Sequence, residues 1–265
     1  MLMKDIVTRL QTEGIALLAE INEHVLDVEL RVKPGDFKAT CLFLHAYLHS
    51  PVMAFFALDE RKQRGVYEVR CVFLAKELAR WCSVVIDVPA LEPEFDSLAK
   101  EIFSATLFER EIKEMFGIVP KGDPDVRTLR LHEEVFPEDA YPLRKDYTGI
   151  SGGETLLREY RFNRVEGEGV FEVPVGPVHA GIIGPGHFRF SVAGEPIVNL
   201  ELRFGFTHRG IEKLFEGKTV QECVGLSECV AGDSVVAHSW AFIRAVENIS
   251  GVRIGSDVFC ARAIC

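Results

Sequence analysis

The sequence predicts an α+β domain of mixed strands and helices, followed by a β-hairpin and a helical run. Three observations predict it. Short β-rich runs in the first half are separated by charged or turn residues and mixed with helical stretches, without strict βαβ alternation. Two period-2 runs on either side of residue 195 match across a turn. Beyond residue 210, three stretches read as helices. The 265 residues suit one large or two ordinary domains. With 48% hydrophobic and 26% charged residues, the chain buries a real core.

Residues 3–12 read as a short helix ended by Gly14, and 26–32 (LDVELRV) alternate as a strand. Asp36 is the expected N-cap of a helix running to about His49. Residues 53–58, 66–74 and 81–88 are β-rich runs. Residues 91–117 form a long amphipathic pattern, read as one helix or a broken one, stopped by Gly117. Residues 122–148, rich in Pro, Asp and Arg, read as an extended arm. Residues 149–172, rich in Gly and Glu, read as a linker and hinge, accessible to proteases. A second domain spans 173–265. In it, HFRFSV and IVNLELRF flank the turn Ala193-Gly194-Glu195-Pro196. Helices follow near 211–216, across 219–228 and over 234–249, the last capped by Asp233 or Ser234.

The net charge is −10 and the pI about 5.4, with no basic block, which argues against a nucleic-acid partner. Seven cysteines stand at 41, 71, 82, 223, 229, 260 and 265 without any CxxC pair. They read as free thiols of a reducing compartment rather than a disulfide framework or a metal site. Cys223 and Cys229, six apart, suit no helical ligand pair. The uncharged run 39–58 is long enough to suggest a membrane span. Two histidines and Pro51 interrupt it, so a buried helix, a turn at 49–51 and a strand account for it better. The start of the chain, with an early acidic residue, does not read as a signal peptide.

The segments FEREIKEMFGIVPKGDPDVRTLRL (108–131) and YPLRKDY (141–147) resemble the signature of the C-type, 30 kDa subunit family of complex I. One departure is Asp123, where that family usually has His. On residue chemistry alone, Glu109, Arg110, Glu111 and Glu114 pair across helix turns or across a subunit boundary, and Arg144 and Lys145 suit acidic groups of a neighbour. The resemblance favours the boundary. It leads to the expectation that Arg110→Glu breaks association with partner subunits while leaving the first domain folded.

The segments 173–190, 206–217 and 230–247 resemble the N-terminal part of the D-type subunit of complex I and of the large subunits of energy-converting nickel–iron hydrogenases. In that family much more sequence follows residue 250, with a second cysteine pair, and Cys260 and Cys265 are not spaced as that pair. The second part therefore reads as an apparently truncated large-subunit-like domain.

Hydrogenase relatives place two metal-binding cysteines where this sequence has Ala231 and Ser234, and a proton-transferring Glu where it has Gly184. Neither Ala nor a neutral hydroxyl replaces a thiolate. Complex I relatives hold the quinone headgroup with a Tyr that falls at Gly232 and a His that falls at Ile183; an Arg near the terminal cluster falls at Cys229. The sequence departs from both chemistries and resembles the branch that has lost its metal site. His179, His187, His208, Arg209 and Lys213 remain as cofactor- or cluster-facing candidates, although lone histidines are more often structural.

The resemblance implies a peripheral-arm subunit of a membrane-bound oxidoreductase, with NADH dehydrogenase-like or hydrogenase-like relatives. It implies no metal or cofactor on this chain and an iron–sulfur cluster on a ferredoxin-like partner. It also implies membrane-arm subunits as partners and a place at the cytoplasmic face through those partners. The alternatives are a competent quinone reductase or hydrogenase, which the missing ligands disfavour, and a free-standing binding protein.

Overall fold

A computed structural model of the chain describes all residues except 1, 13, 16, 18–21, 24–26, 126, 150–159, 182 and 265. It divides into two compact units, Met1–Thr207 and His208–Cys265, each described by itself.

The first unit opens with α1 (Leu2–Thr12), which buries Ile6 and Leu10, four residues apart on one helix face. There follow β1 (Asn22–Glu23), β2 (Asp27–Arg31), α2 (Phe37–Tyr47), β3 (Ala54–Glu60), the short α3 (Arg61–Arg64), β4 (Val66–Ala75) and β5 (Arg80–Pro89). The five strands form one mixed sheet in the order β1-β2-β5-β4-β3, with β2 and β5 parallel and the other pairs antiparallel. Strand alternation decides its two faces. Val69, Cys71 and Phe73 of β4 and Cys82, Val84 and Ile86 of β5 enter the core. There they meet Phe37, Cys41 and Leu44 of α2, and Phe37, Phe55 and Phe95 form an aromatic cluster with centroids 5.6–5.9 Å apart. The opposite face carries a charged lattice. Arg31 meets Glu68 at 2.7 Å and Asp87 at 2.6 Å, and Arg70 meets Glu29 and Glu68, both at 2.8 Å.

The run 39–58 is a buried helix, a turn with His49 at φ 46°, and a strand, as its interruptions implied. Among the described residues, no helix is long and apolar enough to cross a membrane. Asp36 precedes α2, but its side chain caps nothing. A three-residue 3-10 turn, Pro34–Asp36, leads into the helix instead, and the Asp36 carbonyl accepts a bond from Thr40 Oγ1 at 2.7 Å.

The single-helix reading of 91–117 is corrected. Residues Glu94–Asp96 form β6, parallel to β7 (Val119–Lys121), and only Thr106–Phe116 is helical, as α4. Pro93 biases Glu92 away from the helical region, and Phe95 and Leu98 are drawn into the core as an extended chain. Gly117 does end the helix, at φ 72°, and a side chain there would collide with Tyr141 and the Arg144 guanidinium.

Residues 150–159 of the expected linker lie outside the described residues. Its last three residues belong to a strand, β8 (Val170–Val175). The expected hairpin, β9 (His187–Ala193) and β10 (Ile197–Arg203), is present, with β8 added to give the antiparallel order β10-β9-β8. Leu200 faces Phe190 and Leu202 faces Phe188 across the hairpin, with a bulge between Ile197 and Asn199.

The second unit holds α5 (Ile211–Phe215), α6 (Val220–Glu228), α7 (Val235–Ser250) and α8 (Ser256–Ile264). Ser234 stands at the α7 N-cap without a side-chain hydrogen bond. The cap that forms is on α6, where Thr219 and Glu222 build a reciprocal capping box. Cys41, Cys71, Cys82 and Cys223 are buried free thiols, and Cys229 and Cys260 are exposed ones. Cys265 lies outside the described residues.

Candidate functional site

The charged residues of α4 are brought together, but as an internal clamp. Glu109 is fully buried. Its carboxylate accepts bonds from Leu98 N and Ser97 Oγ, both at 2.6 Å, and so fixes the turn that follows β6. Burial pushes its carboxyl up to about 7 against the opposing pull of these two donors, with Asp123 adding to the rise. Arg110, one turn from the arm, donates to the carbonyls of Arg127 at 2.9 Å and Thr128 at 2.6 Å, and meets Asp125 at 3.2 Å. Its side chain is only 10% exposed, and burial lowers its pKa although Asp125 opposes the shift. Glu111 pairs with Arg130. Glu114 accepts three backbone N–H groups, from Leu129, Arg130 and Leu131, at 2.7–3.1 Å.

An acidic residue on α4 and the arm's backbone donors thus satisfy each other directly. The expectation of an outward interface is corrected for Glu109, which reaches no surface, and for Arg110, whose guanidinium is spent on the arm. A charge-rich helix looks the same in sequence whether it meets a partner or its own chain.

The Arg144 side chain and the Lys145 backbone are likewise engaged within the domain, and the Lys145 residue is exposed. Arg144 donates from Nε to the Phe116 carbonyl at 2.7 Å and stacks over Tyr141 at 4.0 Å. The Lys145 N–H donates to Asp59 Oδ2 at 2.8 Å. Asp59 is the organising residue here, and sequence reading missed it. Arg61 grips both its oxygens, at 2.9 and 2.7 Å, and also reaches Asp146 at 2.6 Å. Burial alone would raise the Asp59 carboxyl, yet Arg61 and the N–H groups of Lys145 and Arg61 hold it down to about 2.

The arm continues into the three-stranded sheet. His132 Nε2 lies 2.7 Å from the Phe204 carbonyl, and Arg203 forms an ion pair with Glu134 at 2.5 Å. Gly205, at φ 90°, sits so close to the arm that a Cβ there would collide with the Arg130 carbonyl. A strap, 160–163, crosses the polar side of the same sheet. Tyr160 Oη donates to Glu201 at 2.6 Å and Asn163 N donates to it at 2.8 Å. Burial and this bond raise the Tyr160 phenol to about 12. The signal for these contacts was the density of charge in an arm with no period, which marks many partners but names none.

His179 and His187 stitch the loop between β8 and β9. His179 Nε2 is 2.8 Å from the Gly186 carbonyl, and His187 Nδ1 is 3.1 Å from the Gly176 carbonyl. Their structural reading is the one the geometry fits. Ile183 and Gly184 are exposed on that loop.

In the second unit, Arg209 donates to the carbonyls of Cys229 at 2.5 Å and Val230 at 3.1 Å, tying the start of α5 to the loop that precedes α7. Lys213 pairs with Glu216 at 2.9 Å. His208 is exposed. Gly210 takes a left-handed conformation, φ 65°, beside open space, so it serves the backbone turn rather than a close approach. Ala231 is extended and Gly232–Ser234 form a 3-10 turn. Methyl, hydrogen and hydroxyl groups at 231, 232 and 234 supply no thiolate or imidazole, so this loop does not fit a nickel–iron centre. Among the described residues, no group of three or more His, Cys, Asp or Glu is arranged to hold a metal ion.

Fold and contacts together define a class: a charge-clamped α+β domain whose arm carries a second sheet, followed by a small helical unit. Residues 30–151 are a domain of the family described as respiratory-chain NADH dehydrogenase, 30 Kd subunit. The chain is similar to formate hydrogenlyase subunit 5 of Escherichia coli K12, 37% identical over 79% of this chain and 38% of that protein. It is similar to hydrogenase-4 component G of the same organism, 36% identical over 94% of this chain and 46% of that protein. An NADH-quinone oxidoreductase C/D fusion protein of Bacteroides thetaiotaomicron is 30% identical over 65% of this chain and 36% of its own length. The chain thus spans less than half the length of these relatives.

Proposed function

We propose that the chain is a peripheral-arm subunit of a membrane-bound, complex I-like oxidoreductase of the energy-converting hydrogenase kind. In this reading it scaffolds electron transfer towards the membrane arm and carries no nickel–iron site. The carrying observation is the pairing of a 30 kDa-type domain with a large-subunit-like segment in which Ala231 and Ser234 occupy the ligand loop. The relatives' names, a hydrogenase component and a quinone oxidoreductase C/D fusion, support the class of assembly. Its partners are then a ferredoxin-like iron–sulfur subunit, which holds the cluster, and membrane-arm subunits, which keep it at the cytoplasmic face. The test is purification of the tagged chain from its own membranes, with elemental analysis of the complex and of the isolated chain. Co-purification of an iron–sulfur protein with no nickel on the chain is the expected result. Stoichiometric nickel on the chain, or a chain that stays monomeric in the soluble fraction, overturns the reading.

A further inference from the structure

A groove of about 500 Å³ lies beside β6. Pro34, Pro89 and Leu91 form its apolar part, and Leu91 is 97% exposed. Glu92, Glu94, Asp96 and Lys121 form its polar part. Lys121 is the one cation lining it among the described residues, and it is shared by Glu94 at 3.1 Å and Asp96 at 3.7 Å. Glu92 forms no ion pair among the described residues. The strand along the groove is paired on one edge only. Its parallel ladder with β7 opens with Val119 N donating to the Pro93 carbonyl at 2.8 Å. It closes with Ser97 N donating to the Lys121 carbonyl at 3.0 Å. Alternate residues serve such a ladder, so 93, 95 and 97 use the edge that meets β7. Glu94 and Asp96 turn their N–H and C=O groups to the opposite edge. Among the described residues nothing bonds to those groups.

We infer that this groove receives an extended, cationic polypeptide segment of a partner protein, which adds a strand to the free edge of β6. An unpaired strand edge takes an extended chain through main-chain hydrogen bonds, and adjoining side chains set its selectivity. Here selectivity comes from charge. Three carboxylates face one ammonium, so Lys or Arg side chains on the incoming strand complete the set and steer its approach. Leu91 and the two prolines give an apolar side chain of the same strand a place to leave water. Other occupants fit the charge less well. A second copy brings a net charge of −10 to an acidic groove. An anionic lipid surface is repelled by the same carboxylates. These carboxylates are not gathered as a metal site, since no group of three or more His, Cys, Asp or Glu among the described residues is arranged to hold one. The inference rests on the groove and not on the redox role proposed above.

The experiment offers the whole chain a short blocked peptide in which Lys and Val alternate. Binding is read by calorimetric titration, and its place by amide hydrogen exchange. Saturable binding with slowed exchange at Glu94 and Asp96 is expected, and a peptide alternating Glu and Val should not bind. Glu92→Lys, at an exposed and unpaired position, should keep the melting temperature and weaken binding by about tenfold. Leu91→Ser leaves every charge in place and should weaken it as well. No binding by the unsubstituted protein overturns the inference. So does equal binding of the Glu–Val peptide, binding that both substitutions leave unchanged, or slowed exchange confined to other strands. Self-association, or attachment to vesicles of anionic lipid, that Glu92→Lys abolishes overturns the choice of a partner protein. A chain that co-purifies with an iron–sulfur protein yet takes up no peptide overturns this inference alone.

Discussion

At the residue scale, identity of charge mattered less than where each charge is spent. Arg110 illustrates this. Its three acceptors lie within the same domain, so Arg110→Glu places a carboxylate against two carbonyl oxygens and Asp125. Breaking a buried pair and leaving a charge uncompensated costs about 3–5 kcal/mol. Chemical denaturation of the chain should show that loss directly. A variant that melts normally and loses only its partners would restore the outward interface. Glu109 makes a second prediction. The folded chain holds its proton more tightly than the unfolded chain, about 7 against the ordinary 4.5. Its contribution to stability is therefore complete below pH 4.5 and is lost as pH rises through 7. Glu109→Gln keeps an acceptor for Leu98 N but removes the titration. The variant should lose less stability than the parent between pH 5 and 8, by on the order of 3 kcal/mol. Parallel pH profiles of the two proteins would refute the assignment.

At the element scale, the arm that reads as irregular in sequence is tied to both α4 and the hairpin. It has few partners of its own kind, because its backbone groups are taken by Glu114, Arg110 and the edge of the hairpin. Glycine fixes the closest approach. Gly205→Ala meets both an unfavourable left-handed backbone, worth roughly 1–3 kcal/mol, and the Arg130 carbonyl. It should lower the urea midpoint and speed exchange at Phe204 and Leu131, while leaving the five-stranded sheet protected. Uniform destabilisation without local exchange would argue against a specific seat for the arm. The strands of the first domain were legible because their apolar residues alternate or run in β-rich blocks of the right length. Residues 94–96 were not, because three residues have no detectable period and their pairing with 119–121 is non-local.

At the scale of the whole first unit, covalent continuity and folding continuity differ. The sequence places a hinge in 149–172, yet His132, Glu134 and Gly205 join the arm to the hairpin without using that segment. Cleavage within 150–159 should therefore leave two fragments that still co-elute in size exclusion at moderate salt. Fragments that separate at once would show the joint to be too weak to hold them, and the two parts to be independent domains.

The sequence by itself determined the main strands and the long helix of 27–89, the Gly117 stop and the hairpin at 187–203. Each of these is local: a period or a backbone preference. Tertiary structure alone decided the direction in which charge is spent. Glu109 turned inward to Ser97 and Leu98, Arg110 and Glu114 closed on the arm, and Asp59 gathered Arg61 and Lys145. It also decided that the hairpin's polar face is the covered one. A pattern of alternation says that two faces differ. Which of them is buried depends on what the rest of the chain lays across it, and that is a contact between residues far apart in sequence.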